Sequence, residues 1–217
     1  MEVYFETKKE SSARRRKEFL SLSGFERFNR FLWLSEKSFE LFGLNLKQEK
    51  NNIFALKRKR MEWHREIFKF IELAHKHGLK MILVGGGAVN FHGYQRNSVD
   101  VDFWIDTTDV NLTILLRVLN EMGYEITEFP NEIKEQMQNI SVKFSNEMDL
   151  ELITRFSLNK TFDEAYNESE IVEKHGKQLL RWRVLSYDDL IESKIKAGRP
   201  KDLLDIQQLQ KIKENKK

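Results

Sequence analysis

Val84-Gly85-Gly86-Gly87-Ala88-Val89-Asn90-Phe91-His92-Gly93-Tyr94-Gln95-Arg96-Asn97-Ser98-Val99-Asp100-Val101-Asp102-Phe103 carries most of what can be read from this chain. Residues 79–84, Leu-Lys-Met-Ile-Leu-Val, predict a short apolar strand that runs straight into the three glycines. Residues 88–94 then have helical composition, ended by Gly93. Glycines between a strand and a helix let the main chain come close to a ligand, and a helix start offers N–H groups to an anion. Residues 99–105 predict a second strand. Val99, Val101, Phe103 and Ile105 face one way, and Asp100, Asp102 and Trp104 face the other. Both carboxylates therefore converge on one spot. Two carboxylates that close repel each other unless a cation sits between them, and hard oxygen ligands suit Mg²⁺.

A phosphate cradle beside a carboxylate pair is what metal-assisted phosphoryl or nucleotidyl transfer requires. Other phosphate-binding patterns fit worse. The P-loop needs Gly-Lys-Ser/Thr after its glycines, and none occurs here; the dinucleotide fingerprint needs a glycine where Asn90 stands.

The surrounding chain sets the frame. It has 217 residues, 40% hydrophobic, 12% aromatic with sixteen Phe, and 33% charged with only two Pro, which predicts a helix-rich globular protein. The absence of Cys excludes disulfides, thiolate zinc sites and a cysteine nucleophile together. No apolar run approaches eighteen residues and the amino terminus lacks a signal-peptide layout, so the expected location is cytoplasmic, with no membrane partner. The net charge of +3 is unevenly spread. Residues 1–80 hold nineteen Lys and Arg against eleven Asp and Glu, whereas the remainder is acidic. The clusters Arg14-Arg15-Arg16-Lys17 and Lys57-Arg58-Lys59-Arg60 fit a nucleic-acid-facing surface or a solvated helical face.

The expected fold class is α/β (α+β), in three parts. Residues 1–78 read as a helical N-terminal region, with Phe19, Leu22, Phe25, Phe28, Phe31, Leu32 and Trp33 at helical spacing as packing residues. A break is expected at 41–45, and then one long pattern from about Asn51 to Gly78. Residues 79–160 form a core around a small mixed sheet. It has a helix near 110–122 and further strands at 124–129, 140–144 and 148–153. Residues 161–217 read as a C-terminal helical part packed on that core. Ser186 caps one helix, Gly198 closes it and Pro200 opens the next.

The segment resembles the signature of the nucleotidyltransferase superfamily: Gly-Gly or Gly-Ser, a gap of about a dozen residues, then Asp-x-Asp/Glu. That superfamily includes DNA polymerase beta, the aminoglycoside and lincosamide nucleotidyltransferases and the minimal bacterial nucleotidyltransferases. The Gly-Gly-x-Ala opening, His92-Gly93, Arg96 and the later 194–205 segment are similar to the branch typified by the AbiEii toxins. The resemblance covers roughly residues 79–210. It implies that Gly86 and Gly87, with Gly85 before them, contact nucleotide phosphates, and that Asp100 and Asp102 ligate Mg²⁺. It also implies a third carboxylate on a later strand, for which Met148-Asp149-Leu150 favours Asp149 over Glu151. Asp149 would share a metal, two ions being expected, and help to deprotonate the acceptor hydroxyl. Gly87 stands where many active relatives have Ser.

Arg96 either clamps a phosphate or forms a surface ion pair, and Lys194 either points to the nucleotide, as in relatives, or snorkels at the surface. Arg199, Lys201 and Asp202 read as stabilisers of a helix–helix turn. His92 reads as a hydrogen-bonded structural histidine, and His75-x-His77 does not make a zinc site. The activity implied is transfer of an NMP from an NTP to an acceptor hydroxyl on RNA, tRNA or protein. A toxin neutralised by an antitoxin protein would act in this way, with the basic N-terminal region meeting the RNA. The alternative is a catalytically weak nucleotide- or RNA-binding module, a reading that Gly87 favours.

Overall fold

A computed structural model describes residues 7–42, 53–57, 63–144, 149–175 and 179–215. Its elements run α1 (Lys8–Ser21), α2 (Gly24–Phe42), β1 (Ile53–Lys57), α3 (Trp63–His77), β2 (Met81–Leu83), α4 (Gly85–Phe91) and β3 (Asp100–Ile105). They continue with α5 (Asp109–Glu121), α6 (Asn131–Lys134), β4 (Asn139–Lys143), β5 (Asp149–Ile153), α7 (Phe162–Glu168), β6 (Glu170–Lys174), β7 (Leu180–Val184), α8 (Tyr187–Ala197) and α9 (Pro200–Glu214). The strands form one mixed sheet in the order β1-β4-β5-β3-β2-β7-β6. β3 lies near its centre, parallel to β5 and antiparallel to β2. The fold is the mixed α/β class expected.

Local chemistry explains where the helices begin and end. Thr7 with Glu10 and Thr161 with Glu164 form capping boxes at α1 and α7, and the Thr108 and Ser186 hydroxyls accept N–H bonds at α5 and α8. Gly198, at φ +60°, caps α8 in a left-handed conformation that costs a glycine nothing, and Pro200 opens α9.

Most aromatic residues described in the front stretch pack into the core, but Trp33, expected among them, is 51% exposed on the outer face of α2. Phe19, Phe28 and Phe31 are buried, and Phe28 lies 5.5 Å from Trp182 on β7 and 6.2 Å from Phe68 on α3. Phe70 of α3 meets Phe103 of β3 at 6.0 Å. One hydrophobic cluster thus runs from α2 through α3 into the sheet, across the position expected to end the N-terminal region. The first helices wall the same core that supports the Asp strand.

Three local expectations are corrected. The pattern from Asn51 onward is not one helix, because residues 53–57 pair in parallel with β4 as an edge strand and the helix begins at Trp63. Residues 161–217 are not wholly helical: β6 and β7 form an antiparallel hairpin on the far edge, charged along its outer strand, as edges that resist further pairing tend to be. Residues 124–129 are not a strand. The Asn120 side chain takes both backbone groups of Ile126, at 2.9 and 2.8 Å, supplying by itself what a neighbouring strand would have supplied. The expected break at 43–45, Arg58 to Arg60 and Met148 lie outside the described residues.

If α2 is part of the core, Phe28→Ala should cost about 3–5 kcal/mol of stability in urea unfolding. A loss under about 1 kcal/mol, within the scatter of surface substitutions, would contradict this packing.

Candidate active site

The centre of the site follows from strand register. β3 and β5 run parallel with Asp100 beside Asp149 and Asp102 beside Glu151. Paired residues on adjacent strands share a face, so four acidic side chains start from one patch of sheet. Val101 and Phe103, pointing the other way, are buried against the helices. On the acidic face, Trp104 is covered by Phe156 and Phe162, at ring distances of 5.2 and 5.1 Å, while Asp100 and Asp102 remain half-buried.

Three of the four acids gather. Carboxylate oxygens of Asp100, Asp102 and Glu151 lie within 4.8 Å of one another. Glu151 therefore takes the place expected for Asp149 in the cluster. The reason is the next strand: Lys143 of β4 stands opposite Asp149, and its ammonium holds one oxygen of that carboxylate in a tight ion pair. The other oxygen, Oδ1, is buried with no hydrogen-bond partner among the described residues. Glu151 stands opposite the small Ser141, and its longer side chain reaches the aspartates. At an effective dielectric near 20, like charges at this spacing repel by roughly 3 kcal/mol per pair. A divalent cation reverses the sign of that energy, and three carboxylates with half-exposed faces suit a hard, hydrated ion such as Mg²⁺ or Mn²⁺.

The glycines fit against this cluster in a definite frame. Gly85 sits at φ +57°, and a Cβ there would lie 2.1 Å from Asp102 Oδ2, so only a glycine lets the turn approach the carboxylate so closely. A Cβ on Gly86 would lie 3.2 and 3.3 Å from the Arg96 Nη atoms and 3.1 Å from Ser98 Cβ. The turn is thus bracketed by an acid on one side and a guanidinium on the other. Gly87 points elsewhere: a Cβ there would meet Leu83 Cδ1 at 2.8 Å, inside the core. The pair facing the site is Gly85 and Gly86, one residue earlier than the motif had suggested. A Ser side chain at 87 would start toward Leu83 and away from the carboxylates.

Arg96 and Lys194 belong to a buried chain of charges behind the turn. Arg96 forks onto Asp205, with Nε 2.9 Å and Nη2 3.2 Å from its two oxygens. Lys194 is almost fully enclosed and bridges Asp205, at 2.9 Å, and Asp202, at 2.8 Å. Arg199 in turn grips Asp202 through Nε at 2.5 Å and Nη2 at 3.3 Å. Neither Arg96 nor Lys194 stands as an isolated surface cation, and their partners Asp202 and Asp205 are buried carboxylates that composition and spacing had not singled out beyond the helix turn. Burial alone would push the Asp202 carboxyl up, but hydrogen bonds from Arg199 and Lys194 outweigh it and hold the group at about 2. Asp202 raises Arg199 in return, with smaller contributions from Asp102 and Asp100, which places that guanidinium in the field of the cluster. Ser98 donates to Asp100 at 2.7 Å. His92 bonds the Leu185 carbonyl at 2.8 Å, the structural role expected, and His77 pairs with Glu121.

Among the comparisons with known proteins, the family described as "Nucleotidyltransferase of unknown function (DUF6036)" matches residues 64–215, more than half of the chain. The match runs from the second residue of α3 through the end of α9. Neither the comparison with curated proteins nor that with solved structures gives a match.

Two outcomes are expected from this geometry. Gly87→Ser should lower stability by about 1–3 kcal/mol through overpacking against Leu83 and bring no gain in nucleotide affinity; tighter nucleotide binding would mean that the motif frame is wrong. Because the folded-state pKa of Asp202 is depressed, its contribution is complete above about pH 4 and is lost as pH falls through about 2. Acid titration of unfolding free energy should show that loss in the wild type, and Asp202→Asn should flatten it; an unchanged acid limb would contradict the buried clamp.

Proposed function

The chain belongs to this nucleotidyltransferase family, and from that premise we propose that it is a metal-dependent enzyme moving an NMP from an NTP to an acceptor hydroxyl with release of pyrophosphate. The observation that carries the reading is the meeting of Asp100, Asp102 and Glu151 from two in-register strands beside a glycine turn. Those three carboxylates would hold Mg²⁺, which supplies charge neutralisation to the phosphates and polarises the α-phosphorus.

The rest of the work falls to the chain. Gly85 and Gly86 bring main chain against the phosphates, where a side chain would collide with Asp102 or with Arg96. The acceptor oxygen forms its bond to the α-phosphorus as the bridge to the β-phosphate breaks, and pyrophosphate departs with that electron pair. Glu151, on the strand that pairs with β4, would take the acceptor proton. As acceptor we favour RNA, tRNA included: α1 presents Lys8, Lys9, Arg15, Arg16 and Lys17 to solvent, and Arg14 is exposed beside Glu18. Phosphate backbones are attracted to such a helix without regard to sequence. A toxin role, countered by an antitoxin protein, would use the same transfer. No helix among the described residues is long and apolar enough to cross a membrane.

Labelled NTPs with Mg²⁺ test the reaction, and the fraction that retains label identifies the acceptor. Asp100→Asn, Asp102→Asn and Glu151→Gln should each cut pyrophosphate release by about 10²–10³-fold with folding retained. Asp149→Asn should cost less than about tenfold and act mainly on stability, through the orphaned Lys143. Full turnover in the Glu151→Gln variant would overturn the assignment of the third carboxylate, and full turnover in the two Asp variants would overturn the reading itself.

A further inference from the structure

The buried charge chain behind the glycine turn holds three cations, Arg96, Lys194 and Arg199, against two anions, Asp202 and Asp205. Asp202 and Asp205 are 0% and 1% exposed, so the imbalance sits where charge is costly. The cations are not equivalent. Arg96 donates Nη2 to Asp205 and Nη1 to the Asn97 carbonyl, each at 3.2 Å, and its Nε is enclosed in ion-pair contact with the other Asp205 oxygen. Lys194 is 5% exposed and divides its ammonium between both aspartates. Arg199 differs: its side chain is 58% exposed, Asp202 takes only Nε and Nη2, and Nη1 finds no acceptor among the described residues. The surplus positive charge therefore emerges at one place, on the outer edge of the Arg199 fork. Its grip on a fully buried carboxylate fixes the fork before any ligand arrives, which reduces the ordering cost of binding.

The direction of that edge matters. The α8–α9 turn that carries Arg199 is tied through Asp202, Lys194 and Asp205 to Arg96, whose guanidinium abuts Gly86. Asp102 and Asp100 also lie close enough to bias Arg199 electrostatically. A held, outward guanidinium beside an acidic metal-binding cluster has a purpose when a polyanion lies between them.

We propose that Arg199 is a phosphate-binding residue of this site, gripping the outer phosphates of the incoming nucleoside triphosphate and then the departing pyrophosphate. This rests on the nucleotidyltransferase reading above. Arg199 moves no proton and forms no bond to phosphorus; it matches a planar donor fork to phosphate oxygens. A residue that only stapled the helix turn would need its bond to Asp202 and nothing more, and a lysine could supply that charge.

The test uses the full chain and a non-hydrolysable α,β-methylene nucleoside triphosphate with Mg²⁺. Thermal unfolding and Mn²⁺ binding are measured on the same samples. Arg199→Ala and Arg199→Lys should both weaken binding of the analogue by about 10- to 100-fold and raise the KM for NTP more than they lower kcat. Mn²⁺ affinity should stay within about twofold, and Lys201→Ala, which removes a neighbouring exposed cation, should leave analogue binding unchanged. Analogue binding by Arg199→Ala equal to wild type would overturn the proposal. So would full recovery of affinity in Arg199→Lys, which would reduce Arg199 to a staple. Failure of the wild type itself to bind the analogue would sink the nucleotidyltransferase reading first, and the two failures are told apart by that control.

Discussion

Parallel, in-register pairing of β3 with β5 is the constraint from which the site follows. It sets two acidic rows across adjacent strands, Asp100 with Asp149 and Asp102 with Glu151, and no side-chain rearrangement can separate their Cβ atoms. Like charges facing one another across a ladder destabilise a sheet, so a stable fold must offset them. The chain does so differently in the two rows. Lys143 neutralises Asp149 from β4, whereas small Ser141 leaves Glu151 to join the two aspartates. The unequal treatment makes Asp149 structural and leaves Asp100, Asp102 and Glu151 as a cluster suited to a divalent cation.

The rest of the molecule holds that pairing in place. Helix α3 packs Phe70 on Phe103 at the apolar side of β3, and the aromatic contacts of Phe28, Phe68 and Trp182 lock α2 and the far edge of the sheet to the same core. On the site side, Asp202 and Asp205 bind the C-terminal helices to the loop that leads into β3. Replacing such a network by apolar residues would often stabilise a protein, so its presence here is better explained by where it puts Arg96 and Arg199 than by stability alone. The buried ions supply position as well as stability.

Much of this was legible in the residues. The strand–glycine–helix–Asp-x-Asp grammar located β2 and β3 within a residue or two, because alternation is a local signal, whereas α4 starts three residues earlier than expected, inside the glycines themselves. What was not legible is tertiary. Asp149 and Glu151 are both sound candidates on β5 taken alone, and only the identity of the cross-strand partners, Lys143 and Ser141, tells them apart. The glycine frame was one residue off for a similar reason, since which of three glycines faces the acids depends on how α4 packs on Leu83. β6, with Val172 as its single buried residue, carries almost no alternation to read, and Asn120 substitutes for a strand partner at Ile126 in a manner that no pattern announces.

The central claim is that Asp100, Asp102 and Glu151 share a metal ion. Anomalous diffraction from crystals grown with Mn²⁺ and a nucleoside triphosphate measures it directly. The account requires a manganese peak bonded to oxygens of those three side chains, with Asp149 still paired to Lys143. A peak ligated by Asp149 in place of Glu151, or no peak between the strands at saturating Mn²⁺, would contradict it.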